Sequence, residues 1–307
     1  MRWFDSFLAR CLPLVPNSLL RTMSQRYLSG ETRSQAITQA SALSTSGYRL
    51  TFDLLGEEVE ETSQADQALA EYEALLQDLL AAKMEINLSI KPSQFGMGMN
   101  WAAGIERARQ LGQNVANANG FLRWEMESSE TVDETLEGFS KLRETCGTAV
   151  GCVLQSMLRR TAQDAKSLIG GTQKLNVRLV KGVYIEPPEI AFQEPAAITR
   201  NYIEVMEDLL RGGAFVGVAT HDPAIIEALR NLLKSHPEYL KRCEVQMLLG
   251  VQERLRMETR RAGIPVRVYL PYGHAWRAYV LRRLRQNPRL AGLAFQGMFG
   301  GRERLKA

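Results

Sequence analysis

Eight short runs rich in β-branched and aliphatic residues recur along the chain, separated by longer segments with helical periodicity. The runs cover residues 48–55, 85–91, 120–126, 149–155, 175–181, 214–220, 243–249 and 266–270. Successive runs begin 23 to 39 residues apart, close to the size of one β-α unit, about 30 residues. This alternation favours parallel strands buried on both faces. We therefore predict an α/β fold, a closed (βα)8 barrel, with a doubly wound open sheet as the alternative.

The residues before the first run predict a helical arm over 1–46, followed by the barrel domain over 47–307. The arm has a break at Pro13–Pro16 and a helix-start signal at Ser29-Gly-Glu-Thr. Its first twenty residues are amphipathic and lack the apolar core and cleavage site of a signal peptide. We expect a leading helix packed on the barrel, with contact to a membrane surface as the alternative.

Composition excludes several classes of protein. The 307 residues are 45% hydrophobic and 23% charged, which is typical of a globular protein and not of a disordered one. The net charge of +4 is spread along the chain and gives no reason to expect a nucleic-acid partner. The cysteines form no Cys-x-x-Cys pair and the histidines no His-x-x-x-His pair, so we predict no metal site and a reducing, cytoplasmic setting.

Polar side chains follow nearly every predicted strand. Because catalytic groups of a (βα)8 barrel lie at the carboxyl ends of its strands, these positions are the first candidates for a site. Three of them are the cations Lys91, Arg178 and Lys181, which suit an anionic ligand. The full set of strand ends is Asp53, Lys91, Glu125, Glu127, Gln155, Arg178, Lys181, Thr220, His221, Asp222, Gln246 and Tyr269.

A basic helix is predicted near the carboxyl terminus. Tyr279, Arg282, Arg283 and Gln286 are spaced to share one of its faces. Adjacent arginines can bind a carboxylate through their planar guanidinium groups. Periodicity by itself leaves open the alternative of a basic helix exposed to solvent.

Short motifs on these strand ends resemble the proline dehydrogenase family in its short, monofunctional bacterial form. They occur in the family's order over about three quarters of the chain. The motifs are FDLLGE, SIK, LRWEME, CVLQ, RLVKGVYIEP, VATHD, EVQMLLG, RVYLPYG with a following Trp, YVLRRL and the terminal AFQGMFGG. Each is weak alone, but their common order is specific.

The resemblance implies a distorted (βα)8 barrel whose final helix lies over the top of the barrel. FAD would be bound noncovalently along the strand ends, and the amino-acid substrate would lie between the flavin and that helix. Arg282 and Arg283 would bind the substrate carboxylate, and Tyr269 would pack on its ring. The substrate-side or catalytic residues would be Lys91, Glu125, Tyr269, Tyr279, Arg282 and Arg283.

The resemblance also assigns residues to the cofactor. Arg178 would lie near flavin N5, Gln155 at the polar edge of the isoalloxazine, and Lys181 near the ribityl or phosphate groups. Thr220 and His221 would lie along the pyrophosphate and adenosine. The cofactor-binding residues would be Gln155, Arg178, Lys181, Gly182, Tyr184, Thr220, His221 and Gln246, with Tyr184 as a gate.

The implied reaction is oxidation of L-proline to 1-pyrroline-5-carboxylate by hydride transfer from the ring carbon next to nitrogen to FAD N5. The expected partners are the amino-acid substrate, a quinone or other electron acceptor, and a downstream aldehyde dehydrogenase that takes the product. The expected location is the cytoplasm, with peripheral contact at the inner membrane surface as a further expectation.

Two positions depart from the family's usual pattern. Glu125-Met126-Glu127 stands where the family commonly has Asp-Met-Glu, and Gln286 stands where it usually has Glu. These departures leave alternatives open: a flavoenzyme of the same fold for another cyclic or N-substituted amino acid, or a non-catalytic ligand-binding homologue. A Schiff-base lyase or aldolase that uses Lys91 without flavin is a further alternative from another class.

Overall fold

The computed structural model describes residues 26–171 and 174–277, and eight parallel strands form a closed barrel within it. The strands follow one another around the barrel in chain order, and the last pairs with the first. They are β1 Arg49–Leu54, β2 Asn87–Ile90, β3 Phe121–Trp124, β4 Val150–Gln155, β5 Asn176–Val180, β6 Phe215–Ala219, β7 Cys243–Leu248 and β8 Val266–Tyr272. This confirms the predicted (βα)8 barrel. Because β8 pairs with β1, the open-sheet alternative is wrong.

Seven of the strands lie inside the runs predicted for them, whereas β8 extends two residues beyond its predicted end at Leu270. Proline lacks the N–H donor that a strand ladder uses. The Pro271 carbonyl nevertheless accepts from Ser29 N and Oγ at 2.9 Å, and the Tyr272 carbonyl accepts from Leu55 N at 2.7 Å. These acceptor contacts continue the pairing past the proline.

Helices follow each of the first seven strands and cover the outside of the barrel. Helix α2 shows why they form there: Leu69, Tyr72, Leu76 and Leu79 recur on one face and are buried against the sheet. The helices are α1 Arg33–Thr45, α2 Thr62–Ala81, α3 Trp101–Asn117, α4 Val132–Cys146, α5 Thr161–Gly171, α6 Pro195–Arg211, α7 Pro223–Ser235 and α8 Glu253–Arg261. The predicted final helix with Tyr279, Arg282 and Arg283 lies outside the described residues.

Helix α1 precedes the barrel and begins where the sequence indicated. The Thr32 side chain accepts from Gln35 N, and the Gln35 side chain accepts from Thr32 N, which is a capping box. The helix contacts β1 and β8, and Ala36 and Ala40 are buried on that side. Residues 1–25 of the predicted arm lie outside the described residues.

The interior of the barrel is unusually polar. Branched aliphatic side chains dominate the inside of most such barrels, but here Arg123, Arg178, Glu244 and Arg267 are at least 95% buried. Two glycines make room for long polar side chains in this interior. A Cβ at Gly151 would lie 2.6 Å from an Arg123 guanidinium nitrogen, and a Cβ at Gly217 would lie 2.4 Å from the Gln246 amide nitrogen.

Candidate active site

A cavity of about 520 Å³ opens at the carboxyl ends of the strands. All the predicted site residues that the structure describes line this cavity. They are Lys91, Glu125, Gln155, Arg178, Lys181, Gly182, Tyr184, Thr220, His221, Gln246 and Tyr269. The remaining predicted site residues, Tyr279, Arg282 and Arg283, lie outside the described residues.

Arg178 forms the centre of the cavity floor. Its guanidinium forms an ion pair with Glu125, donates to Ser89 Oγ at 2.9 Å, and stacks over the Tyr269 ring with 5.1 Å between its carbon and the ring centroid. Ser89 Oγ also donates to Glu125. The guanidinium is therefore held from two sides, and Glu125 is occupied by two donors.

Lys91 is a second cation, held from below by a buried carboxylate. Its Nζ lies 2.5 Å from Asp53 Oδ1, and the Asp53 side chain is only 2% exposed. Burial by itself lowers the pKa of Lys91, but the carboxylates of Asp53, Glu125 and Glu127 together outweigh burial and raise that pKa. Lys91 is thus protonated near neutral pH. A Schiff-base lysine must be deprotonated to attack a carbonyl, so this arrangement does not support the aldolase alternative.

Tyr269 closes the same corner of the cavity. Its hydroxyl opposes, together with Lys91, the rise that burial causes in the pKa of Asp53. Burial, with the charges of Asp53 and Glu125, raises the pKa of Tyr269 well above its ordinary value. The phenol is therefore neutral, and it presents an aromatic ring beside two cations.

Lys181 is the third cation, and it lies at the other side of the cavity. Its Nζ lies 2.6 Å from Asp222 Oδ2 and 2.9 Å from Thr199 Oγ1. Burial raises the pKa of Asp222, but hydrogen bonds from Lys181, the Ala224 N–H and Thr199 outweigh it and lower that pKa. Thr220 Oγ1 accepts from Asp222 N at 3.0 Å, which fixes the turn after β6.

Gln155 and Glu127 tie neighbouring loops together at the edge of the cavity. The Gln155 amide nitrogen donates to the Glu127 carbonyl at 2.7 Å. The Glu127 carboxylate accepts from Ser93 N at 2.8 Å and from Ser93 Oγ at 2.6 Å. Burial raises the pKa of Glu127. These contacts give the rim a fixed shape.

The polar rim also contains His221 and the turn that follows β5. Leu248 N donates to His221 Nε2 at 2.9 Å, so the neutral ring carries its proton on Nδ1. Gly182 has φ of +105°, and a Cβ there would lie 2.4 Å from Met157 Sδ, so this position requires glycine. Tyr184 packs on the apolar cluster that contains Met157.

Several residues that hold the site were missed by considering strand ends alone. Ser89 and Glu244 lie two positions before Lys91 and Gln246 on their strands. Successive side chains of a strand alternate between faces, so this spacing puts them on the same interior face. The two-residue period was the available signal for them. Thr199 comes from helix α6, and no pattern linked it to Lys181.

Two further observations concern residues 26–171 and 174–277. No group of three or more His, Cys, Asp or Glu side chains is placed to bind a metal ion there. None of the helices in these ranges has the length and apolar character needed to span a bilayer.

The fold and the cavity define a (βα)8-barrel protein whose functional end presents cations held by carboxylates. The family model described as "Proline dehydrogenase" matches residues 36–292. The chain is 34% identical over 283 residues to "Proline dehydrogenase" of Deinococcus radiodurans, covering 91% of each chain. It is 29% identical over 280 residues to "Proline dehydrogenase 2" of Bacillus subtilis, again covering 91% of each. The chain belongs to the proline dehydrogenase family.

A solved structure has the same fold. The crystal structure of proline utilization A (PutA) from Bdellovibrio bacteriovorus inactivated by N-propargylglycine superposes with a TM-score of 0.81 at 22% identity. The match covers 90% of this chain and 34% of that one, so this chain corresponds to about a third of the length of that protein. The similarity supports the barrel architecture.

Proposed function

We propose that this protein oxidises L-proline to 1-pyrroline-5-carboxylate with FAD bound noncovalently at the carboxyl ends of the strands. The observation that carries the proposal is the set of Lys91, Arg178 and Lys181 around one cavity, each paired with a carboxylate, in a chain of this family. Three fixed cations suit a ligand that carries both a polar ring edge and phosphates.

The lining residues fit a flavin. The volume falls within the range of small-molecule sites, about 300–1000 Å³. Apolar side chains of Met126, Val153 and Val180 line it beside the charged groups, which suits a flat ring system. Lys181 and Thr220 at one side offer a cation and a hydroxyl to a phosphate. When bound, FAD supplies the two-electron acceptor, which takes a hydride at N5.

We assign the cofactor contacts to residues that converge on this cavity. Arg178 contributes a fixed positive charge beside the flavin ring, and Gln155 lies at its polar edge. Thr220, His221 and Lys181 contact the ribityl, pyrophosphate and adenosine portions, with Gly182 at the turn that approaches the cofactor. Tyr184 borders the entrance as a gate. Gln246 borders the same cavity, with both ends of its amide bound by protein groups.

We carry the substrate contacts over from the resemblance to the family. Arg282 and Arg283 bind the substrate carboxylate, Tyr269 packs on the ring, and Tyr279 walls the pocket. Fixing the carboxylate holds the ring carbon near its acceptor without a search of orientations. The secondary amine must lose its proton before the carbon–nitrogen double bond forms. Because Lys91 is itself protonated, we propose that it contributes a positive charge to the site and does not accept this proton. We place Glu125 beside the amine.

The proposal also includes an electron acceptor for the flavin and an enzyme that consumes the product. A quinone or other acceptor reoxidises the flavin, and an aldehyde dehydrogenase consumes the product. The similar Bdellovibrio protein is itself named for proline utilization, which is in keeping with such a sequence of reactions in that protein.

The first experiment is anaerobic reduction of the purified protein. We expect a yellow protein whose flavin absorbance is bleached by L-proline, with 1-pyrroline-5-carboxylate identified by mass spectrometry.

Binding of the substrate carboxylate is tested with an analogue and a variant. L-Prolinamide lacks the carboxylate, so we expect it to have kcat/KM lower by about tenfold to a hundredfold. The Arg283→Met variant should lose proline affinity to a similar extent and keep its flavin. If another cyclic amino acid bleaches the flavin and proline does not, the assignment of proline as the substrate is wrong. If no amino acid bleaches it, the protein is a non-catalytic homologue.

A further inference from the structure

The Gln246 amide is engaged at both ends by protein groups on the cavity floor. Its Oε1 accepts from Arg178 Nε at 2.6 Å, and its Nε2 donates to Glu244 Oε1 at 2.8 Å. Gln246 is only 5% exposed, and Glu244 is 1% exposed. The two strong contacts of this amide are therefore within the protein, although Gln246 also borders the cavity.

Only one orientation of this amide satisfies both neighbours. Arg178 Nε can only donate, and the ionised Glu244 carboxylate can only accept. A flipped amide would place nitrogen against the Arg178 N–H and oxygen against the carboxylate, and it would lose both hydrogen bonds. Glu244 thus decides which atom of Gln246 faces Arg178.

Glu244 is itself held by two arginines from other strands. Arg267 Nε on β8 donates to Glu244 Oε1 at 2.6 Å, and Arg49 on β1 donates to Oε2 at 3.0 Å. Burial raises the pKa of Glu244, but Arg267, Gln246 and Arg49 outweigh it and lower that pKa. Glu244 is therefore an ionised acceptor at a fixed place inside the barrel.

Gly217 leaves the space that this arrangement needs. A Cβ at position 217 would lie 2.4 Å from Gln246 Nε2 and 2.7 Å from its amide carbon. The neighbours of that Cβ are the end of a flexible side chain and not backbone, so an alanine would displace the amide and leave the strand in place.

We propose that Gln246, oriented by Glu244, is a positioning residue that sets the plane of the Arg178 guanidinium and acts on the reaction through Arg178 alone. With Nε held by Gln246, the terminal nitrogen Nη1 of Arg178 is directed to Ser89 and Glu125. This inference rests on the proposed function, in which Arg178 faces the flavin. It replaces the expectation from the resemblance that Gln246 is a direct cofactor contact.

A double-mutant cycle on kcat tests the proposal. Gln246→Met removes the acceptor at similar side-chain length, and we expect kcat for proline to fall by about tenfold with KM changed by less than about twofold. In the Arg178→Met background the same change should alter kcat by less than about twofold, because the guanidinium it positions is gone. If instead the double variant loses kcat by the product of the two single losses, Gln246 acts on the reaction independently of Arg178 and the proposal is overturned.

Gly217→Ala provides an independent route to the same displacement. We expect kcat to fall in the same direction as in Gln246→Met, again only when Arg178 is present. Gly170→Ala is the matched control, because a Cβ at Gly170 meets nothing within 4 Å. Unchanged kcat in Gly217→Ala, with the amide shown by a crystal structure to have moved, would contradict the proposal.

Hydrogen exchange of the Arg178 Nε–H gives a readout that needs no turnover. We expect its NMR signal to be protected in the unaltered protein and to exchange about tenfold faster or more in Gln246→Met and Gly217→Ala. If the protein fails to oxidise proline while this protection behaves as expected, the proposed function fails and the positioning of Arg178 stands. Equal protection in all variants overturns the positioning.

Glu244 is tested against a matched carboxylate. Glu244 and Glu85 both pair with Arg267, at 2.6 and 2.8 Å, but only Glu244 contacts Gln246. We expect Glu244→Gln to accelerate exchange of the Arg178 Nε–H and Glu85→Gln to leave it unchanged. Equal effects of the two changes would overturn the orienting role of Glu244.

Discussion

Lys91 and Asp53 show how one buried pair supplies a charge to the cavity. Asp53 is 2% exposed and Lys91 13%, so water screens the pair little. Burial raises the pKa of Asp53, and the Lys91 charge opposes that shift. Each side chain thus depends on the other: carboxylates around Lys91 raise its pKa, and the Lys91 charge limits the rise that burial causes in the pKa of Asp53.

Removing Lys91 by itself should cost both stability and activity. Lys91→Met leaves Asp53 buried without its cation, and breaking such a pair costs about 3–5 kcal/mol. The double variant Lys91→Met/Asp53→Asn removes both charges, so we expect most of the stability to return. Flavin reduction by proline should stay slow, because the cation is still missing from the cavity. Urea denaturation and anaerobic stopped-flow measure the two effects.

This comparison separates two roles of the pair. If the double variant recovers activity along with stability, the pair serves the fold and not the reaction. If the single variant is as stable as the unaltered protein, Asp53 has taken up a proton at little cost.

At the scale of an element, the start of helix α7 joins stability to the site. Asp222 is the N-cap residue of this helix, and its Oδ1 accepts from Ala224 N at 2.9 Å. Its other oxygen binds Lys181. One carboxylate therefore begins a helix and holds a cation at the cavity edge.

Two substitutions at position 222 distinguish these roles. Asp222→Ala removes the cap and should lower the free energy of unfolding by about 0.5–2 kcal/mol. Asp222→Ser keeps a good N-cap oxygen but loses the charge, so we expect it to recover most of that loss. Thermal denaturation at pH 7 compares the variants. An equal loss in both would mean that the contact with Lys181, and not the cap, contributes the stability.

At the scale of the whole molecule, charged side chains cross the inside of the barrel where aliphatic layers are usual. Glu244 on β7 contacts Arg267 on β8 and Arg49 on β1, and Arg267 reaches Glu85 before β2. Neighbouring strands around the closure of the barrel are thus joined by ion pairs, and in the Arg267–Glu244 pair both side chains are buried. Protonation of a carboxylate in this set leaves its arginine partners unpaired. Acid should therefore lower the stability of the whole barrel.

The pH dependence of stability follows from the lowered pKa of Glu244. A carboxyl whose pKa is lower in the folded state contributes stability above its unfolded pKa, about 4.3, and loses that contribution as the pH falls through the folded value. Glu244→Gln should therefore be less stable than the unaltered protein by about 3 kcal/mol at pH 7. This deficit should shrink below about pH 4.

Urea denaturation at pH 7 and at about pH 3.5 measures this change. Glu258→Gln is the control, because the Glu258 pair with Arg254 is exposed and contributes little. A deficit of the same size at both pH values would show that Glu244 does not titrate with folding in this range.

The strands and their order could be predicted from the chain because β-rich runs and helical segments alternate regularly. The polar residues at strand ends could be predicted too, since all parallel strands place these ends at one edge. Which groups pair could not be predicted. Nothing local links Lys181 to Thr199, 18 positions away, or Arg178 to Ser89, 89 positions away.

The amino-acid sequence by itself determined the eight-stranded barrel, its family and the set of side chains that face one cavity, because periodicity and strand polarity are local properties. Only the tertiary structure decided how those side chains are held. The ion pair of Lys91 with Asp53, the orientation of the Gln246 amide, and the space left by Gly217 depend on distances between strands. Those distances exist only once β8 has paired with β1 and the barrel is closed.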